Sequence, residues 1–224
     1  MLHFDEYFTD RYDAGRQLAA ALARFKDFDP VVLALPRGGV PVAFEVARVL
    51  RAPLDLLLAR KLGAPGAPEL GIGAVIDGDD PQLVLNDEAI RFVQPPDGYV
   101  AAEMQRQLAE IERRRSFYLG ERAPVSVRGR AVILVDDGIA TGGTARVALK
   151  ALRKAGVSRL VLAIPLAPRE SLQILQEEAD EVICLETPNP FQAVGIHYAD
   201  FTQTSDDDVV RLLVEARAFT TRKG

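Results

Sequence analysis

The run Val132-Ile-Leu-Val-Asp-Asp-Gly-Ile-Ala-Thr-Gly-Gly-Thr144 concentrates the chemistry of this chain. An apolar, strand-like stretch ends in two adjacent carboxylates, Asp136 and Asp137, and a loop of small residues then opens a helix. In open parallel sheets, ligands bind at the C-terminal edge of the strands, which is where these acids fall. The loop residues Ala140, Thr141, Gly142, Gly143 and Thr144 offer backbone N–H groups and a helix N-terminus to an anion, with two hydroxyls in reach. Two acids beside an anion cradle suit a ligand with vicinal hydroxyls next to a phosphate, which is the layout of a ribose 5-phosphate.

Rival motifs fail on spacing. A P-loop needs a Lys directly before its Ser or Thr, and Thr144 follows Gly143. A dinucleotide fingerprint places its acid roughly 20 residues after the glycines, whereas here the acids come first. No Gly-x-Ser-x-Gly elbow is present. Other polar clusters read more plainly. Asp206, Asp207 and Asp208 follow Ser205 and read as a helix cap with its first turn, rather than as a metal site. Cys184 sits in the apolar run Glu-Val-Ile-Cys-Leu and reads as a core thiol. His3 and His197 have no partner at zinc spacing, and His197 reads as a surface residue. The run Arg113-Arg114-Arg115 lies in a charged helix and reads as a solvated face, since neighbours on a helix diverge.

Positioning these residues requires alternating helices and strands, the signature of an α/β fold with a Rossmann-like parallel sheet flanked by helices. Strands are expected at 31–35, 54–59, 131–135, 160–164 and 181–185. Helices are expected at 10–27, 40–50, 100–119, 145–155 and 168–178, with a last one after Ser205. Val75–Ile76 and Leu83–Leu85 should pair as a small hairpin across the turn residues 77–80. Leu62–Gly71 is rich in Gly and Pro, and the expectation there is a mobile loop without regular structure. With 224 residues, 48% of them hydrophobic, one domain over 1–224 is expected. A net charge of −5 disfavours a nucleic-acid surface. No apolar run approaches the roughly 20 residues of a membrane span. An N-terminus without a basic region and a single cysteine fit a cytoplasmic protein.

Residues 132–144 resemble the signature of the type I phosphoribosyltransferases: a hydrophobic strand, two acids and a Thr-Gly-rich loop. Pro36-Arg37-Gly38-Gly39-Val40-Pro41 resembles the family's diphosphate-binding loop, and Arg60-Lys61 with the following Gly/Pro-rich segment resembles its flexible catalytic loop. A more specific likeness is to a bacterial subgroup of unassigned substrate, carried by Asp10-Arg11, Ala14-Gly15 and Phe201…Ser205-Asp206-Asp207-Asp208-Val209. The resemblance implies a donor, 5-phosphoribosyl 1-diphosphate, and a nitrogen acceptor such as a nucleobase, with a place in nucleotide metabolism close to purine salvage. It assigns Asp136 and Asp137 to the ribose hydroxyls and Mg2+, residues 140–144 to the 5-phosphate, and the N–H groups of Arg37, Gly38 and Gly39 to the diphosphate. Arg37, Arg60 and Lys61 would neutralise the leaving group, and Glu69 lies within the flexible loop. A hood at about 187–203 would cover the acceptor, with Phe191 and Tyr198 as a stacking wall. Where enzymes of 6-oxopurines carry an acid in the phosphate loop, this chain has Ala140, as adenine enzymes do. A homodimer through the 100–119 helix is compatible with the family, and the alternative activity is a non-catalytic regulator that binds the same donor.

Overall fold

The computed structural model describes residues 6–78 and 81–220; His3 and two residues of the expected hairpin turn, Asp79 and Asp80, lie outside them. Five short apolar strands form a parallel sheet: β1 (Val31–Ala34), β2 (Leu54–Leu56), β6 (Ala131–Val135), β7 (Arg159–Leu166) and β8 (Glu181–Glu186). Their order is β2-β1-β6-β7-β8, every pair parallel. Apart from Asp55 on β2 and charged residues at strand ends, these strands carry apolar residues because both faces are covered. Side chains alternate along each strand, so Val32, Ala34, Ile133, Val135, Val161 and Ala163 enter one core while Val31, Leu33, Val132, Leu134, Leu160 and Leu162 enter the other. The first core is closed by helices α1 (Arg11–Ala21), α2 (Gly39–Leu50) and α7 (Asp206–Ala216). The second is closed by α5 (Gly143–Lys154) and α6 (Arg169–Gln176).

A second, antiparallel sheet, β3 (Ala59–Ala64), β4 (Ala67–Ile76) and β5 (Gln82–Leu85), stands beside the first and packs on the long helix α4 (Tyr99–Leu119). It contains the expected small hairpin, and it corrects the reading of Leu62–Gly71 as a loop. That segment is instead the β3–β4 hairpin, turning at Pro65 and Gly66. Gly and Pro disfavour strands, but packing decides the outcome. Leu62, Ala64 and Ile72 are buried, and Tyr99 Oη donates to Gly63 O at 3.0 Å. A short helix α3 (Asp87–Val93) went unexpected, although Asn86 caps it and Asp87 and Glu88 fill its first turn. The expected helix 10–27 ends at Ala21 and continues as a 3-10 segment, Ala23–Phe28.

The basic run on α4 also needs correction. Arg113 and Arg114 are exposed and both bond Glu110, but Arg115 is buried. Its guanidinium holds Asp55 of β2 at 2.8 Å and Asp77, just past β4, at 2.6 Å, so it ties the two sheets together. Asp77 also accepts from Leu58 N, and Asp55 from Val125 N. Buried charges survive only when paired and hydrogen-bonded in this way. Cys184 is half-buried, its thiol donating to Glu186 O, and burial pushes it up to about 11. The acids after Ser205 form a capping box, Ser205 with Asp208, as expected.

Candidate active site

The strand order reverses direction between β1 and β6, since β1 leads to β2 on one side and β6 to β7 on the other. Ligand crevices of open α/β sheets form at such a switch point. Here Pro36–Gly39 leaves the end of β1 and Asp136–Gly142 leaves the end of β6. Leu35 N donates to Val135 O, so the two exits start side by side.

The loops touch. A Cβ built on Gly38 would overlap the Asp137 carboxylate, and one on Gly39 would lie 2.8 Å from Val135 O and 3.0 Å from Asp136 Cα. Gly-Gly at this point is therefore a requirement of close approach, not only of turning. The Pro36–Arg37 peptide is cis. Gly39 N–H donates to Leu35 O at 3.1 Å, so of the three loop N–H groups expected to meet an anion, those of Arg37 and Gly38 remain. The Arg37 guanidinium is 3.7 Å from Asp206 Oδ1, in a cavity of about 400 Å3 lined also by Arg113, Arg114, Phe117 and Tyr118.

Both acids are held firmly. Asp136 Oδ1 accepts from Asp137 N at 2.9 Å, and Asp137 Oδ2 accepts from Arg11 Nε at 2.7 Å. Asp137 O accepts from Tyr198 Oη at 2.6 Å. Those bonds leave Asp136 Oδ2 and Asp137 Oδ1 as the second oxygens of two carboxylates that lie side by side. Burial, and then the neighbouring Asp137 carboxylate, push the Asp136 carboxyl well above the usual carboxylate range, while Arg11 pulls the other way. Burial likewise raises the Tyr198 hydroxyl, which therefore stays a donor.

The start of α5 supplies the anion cradle. Its N-cap Gly142 has φ 76° and no side chain caps the helix, so the first-turn N–H groups stand uncapped. Ala140, Thr141, Gly143 and Thr144 are exposed, and Ser171 Oγ fixes the loop by donating to Ala140 O at 2.6 Å.

The hood region is tied to the N-terminal segment. Tyr7 N and Phe8 N donate to His197 O, Ala199 N to Phe8 O, and Asp200 N to Thr9 O. This overturns the surface reading of His197, which is 2% exposed. Tyr198 is equally unavailable as a stacking wall, because its ring packs between Phe8 and Phe201, at 5.3 and 5.0 Å. Phe191 is half-buried, 6.0 Å from His197. Val194 closes over Gly138, beside the acids.

Arg60 and Lys61 lie on β3, in the second sheet. Lys61 Nζ donates to Glu69 O at 2.7 Å, and Arg60 Nε to Gln107 Oε1 at 3.1 Å. The acids and both loops are thus brought together at one edge of the sheet, while the head groups of Arg60 and Lys61 are engaged within the hairpin and α4. In the sequence Arg11 stands out only within the Asp10-Arg11 marker, and no local signal points to its place on Asp137. The pair spans 126 positions.

An acid pair and a glycine-rich loop at the switch point of a five-stranded parallel sheet make this an α/β domain with its candidate site at the C-terminal edge of the strands. The phosphoribosyl transferase domain family matches residues 8–200, and the chain belongs to it. A Mycobacterium tuberculosis protein, provisionally named a phosphoribosyl transferase, is 49% identical over 209 residues, which are 93% of this chain and 47% of that relative. The chain therefore spans about half the length of the curated relatives it matches. The crystal structure of TT1426 from Thermus thermophilus is similar at a TM-score of 0.80 and 44% identity, over 93% of this chain and 98% of that one. A ribose-phosphate pyrophosphokinase of Methanopyrus kandleri is 30% identical over 184 residues, 70% of this chain and 62% of its own length.

Proposed function

We propose that the chain transfers ribose 5-phosphate from 5-phosphoribosyl 1-diphosphate to a nitrogen acceptor, a nucleobase being the acceptor class this reading favours. The observation that carries the reading is the contact of Gly38 and Gly39 with Asp137 and Asp136. A diphosphate on the Arg37 and Gly38 N–H groups would lie directly beside a ribose on the acids. The uncapped α5 N-terminus, with the Thr141 and Thr144 hydroxyls, would hold the 5-phosphate at the other end.

The chemistry follows from that layout. The bond from ribose C1 to the diphosphate oxygen breaks, and its electron pair leaves with diphosphate. The acceptor nitrogen supplies the pair for the new C1–N bond and releases its proton to solvent. Positive charge grows on the ring in between, and carboxylates at the ribose stabilise it where it develops. Raised proton affinity at Asp136 is the cost of burying that carboxyl, and then of placing a second carboxylate beside it. Arg37, Arg60 and Lys61 are assigned to the leaving diphosphate. That role requires the hairpin bearing Arg60 and Lys61 to close on the crevice, which also limits hydrolysis by excluding water.

The donor set fits Mg2+. This ion binds through one or two carboxylates plus substrate oxygens, keeping water for the rest. Asp136 and Asp137 would supply the carboxylates, and among the described residues no group of three or more His, Cys, Asp or Glu forms a self-sufficient cage. When bound, Mg2+ neutralises charge on the diphosphate. An acceptor without a 6-oxo requirement fits Ala140, and a cytoplasmic setting fits the single cysteine.

The test is a diphosphate-release assay of the full chain with Mg2+, donor and a panel of nitrogen acceptors. Release that depends on one acceptor supports transfer. Donor binding without release on any acceptor favours the regulator, and no donor binding overturns the reading.

A further inference from the structure

Among the described residues, Arg11 is the charged side chain that bonds the acid pair and that the proposed chemistry leaves unused. It opens α1, is 8% exposed, and spends its guanidinium on three contacts. Nε donates to Asp137 Oδ2 at 2.7 Å, a terminal nitrogen donates to Thr202 O at 2.8 Å, and the guanidinium carbon lies 3.8 Å from the centroid of the Phe201 ring. One side chain thus joins the proposed ribose site to the hood.

Its own position is fixed from both sides. Upstream, residues 7–9 pair with residues 197–200 of the hood. Downstream, the Asp10 side chain caps α1 by accepting from Asp13 N. Exposed ion pairs contribute little, but this one is sheltered, and charge-assisted bonds with a planar donor set direction as well as energy. A lysine would meet Asp137 and Thr202 as a point charge, without the rigid fork that fixes the direction of both bonds.

We propose that Arg11 is a positioning residue of the donor site. It turns the Asp137 carboxylate so that Oδ1 is presented to the ribose hydroxyls, and it makes that orientation depend on an ordered hood. This rests on the phosphoribosyl reading of the crevice. When Arg11 is lost, Asp137 is free to rotate and the donor loses a preorganised contact. When the hood loosens at Phe201, the same contact weakens from a distance.

Calorimetric titration of the full chain with 5-phosphoribosyl 1-diphosphate and Mg2+ tests this, with each variant first checked for a cooperative melt. Arg11→Met is expected to bind about tenfold more weakly, the worth of one charge-assisted hydrogen bond. Arg11→Lys is expected to recover part of that loss. Phe201→Leu, which touches no donor contact, is expected to weaken binding about threefold through the lost cation–π support. If Arg11 merely fills space on the Phe201 ring, the order reverses, because Met packs there as well as Arg does and Lys packs worse. Wild-type affinity in Arg11→Met, or Lys no better than Met, overturns the role. If Arg11→Met does not fold, wild-type affinity in both Arg11→Lys and Phe201→Leu overturns it. A wild-type chain that binds no donor overturns the phosphoribosyl reading itself, and the Arg11 role with it.

Discussion

Two glycines and two aspartates decide what this crevice can accept. Gly39→Ala would press a methyl group onto Val135 O and Asp136 Cα, both backbone atoms that cannot swing away. Urea unfolding of Gly39→Ala should show a loss of ~1–3 kcal/mol, the usual cost of overpacking. An unchanged midpoint would mean the loop does not sit on the acids. Asp136→Asn should act in the opposite sense on stability, because the fold disfavours the ionised carboxyl. A higher melting temperature at pH 7 is the expected result. Donor binding should fall in the same variant, and a lower melting temperature would contradict the burial argument. The acid pair was legible because type and spacing are local. Arg11 was not, since nothing near residue 11 tells which carboxylate, 126 positions away, it will meet. Tyr198 misled for a related reason. An aromatic residue in a hood segment suggests stacking, and only the pairing of residues 7–9 with 197–200 shows that its ring is internal.

At the scale of elements, continuous apolar runs marked the central strands, and all five stand where expected, to within a few residues. The second sheet was read less well, because its residues are poor strand formers whose order comes from α4. Arg115 is the tie between the two sheets, and Asp77 makes that tie sensitive to pH. Burial raises Asp77 from 3.8 to about 6, and Arg115 offsets it only in part. Folding therefore favours the protonated carboxyl. Its contribution is full below about pH 4 and is lost as pH rises through about 6, a change on the order of 3 kcal/mol. Asp77→Asn, which can still accept from Leu58 N, should flatten the stability profile between about pH 4 and pH 6.5 when unfolding is followed in urea. A profile as steep as that of the wild type would place the titration elsewhere.

For the molecule as a whole, topology does the assembling. The reversal of strand order at β1 and β6 brings two loops, about 100 residues apart in sequence, to one edge, as expected for a crevice of this fold class. A net charge of −5 does not oppose a phosphorylated ligand there, because helix N-termini, backbone N–H groups and a few guanidiniums set the local field. Residues 7–9 and 197–200 pair into one further unit, and Arg11 and Tyr198 join it to Asp137. The central claim is that Asp136 and Asp137 hold the ribose of a phosphoribosyl diphosphate, and calorimetric titration with that donor and Mg2+ tests it most directly. The account predicts saturable binding by the wild-type chain and at least a tenfold loss in the variant carrying both Asp136→Asn and Asp137→Asn, as expected for losing charged contacts. Equal binding by the two proteins would contradict it.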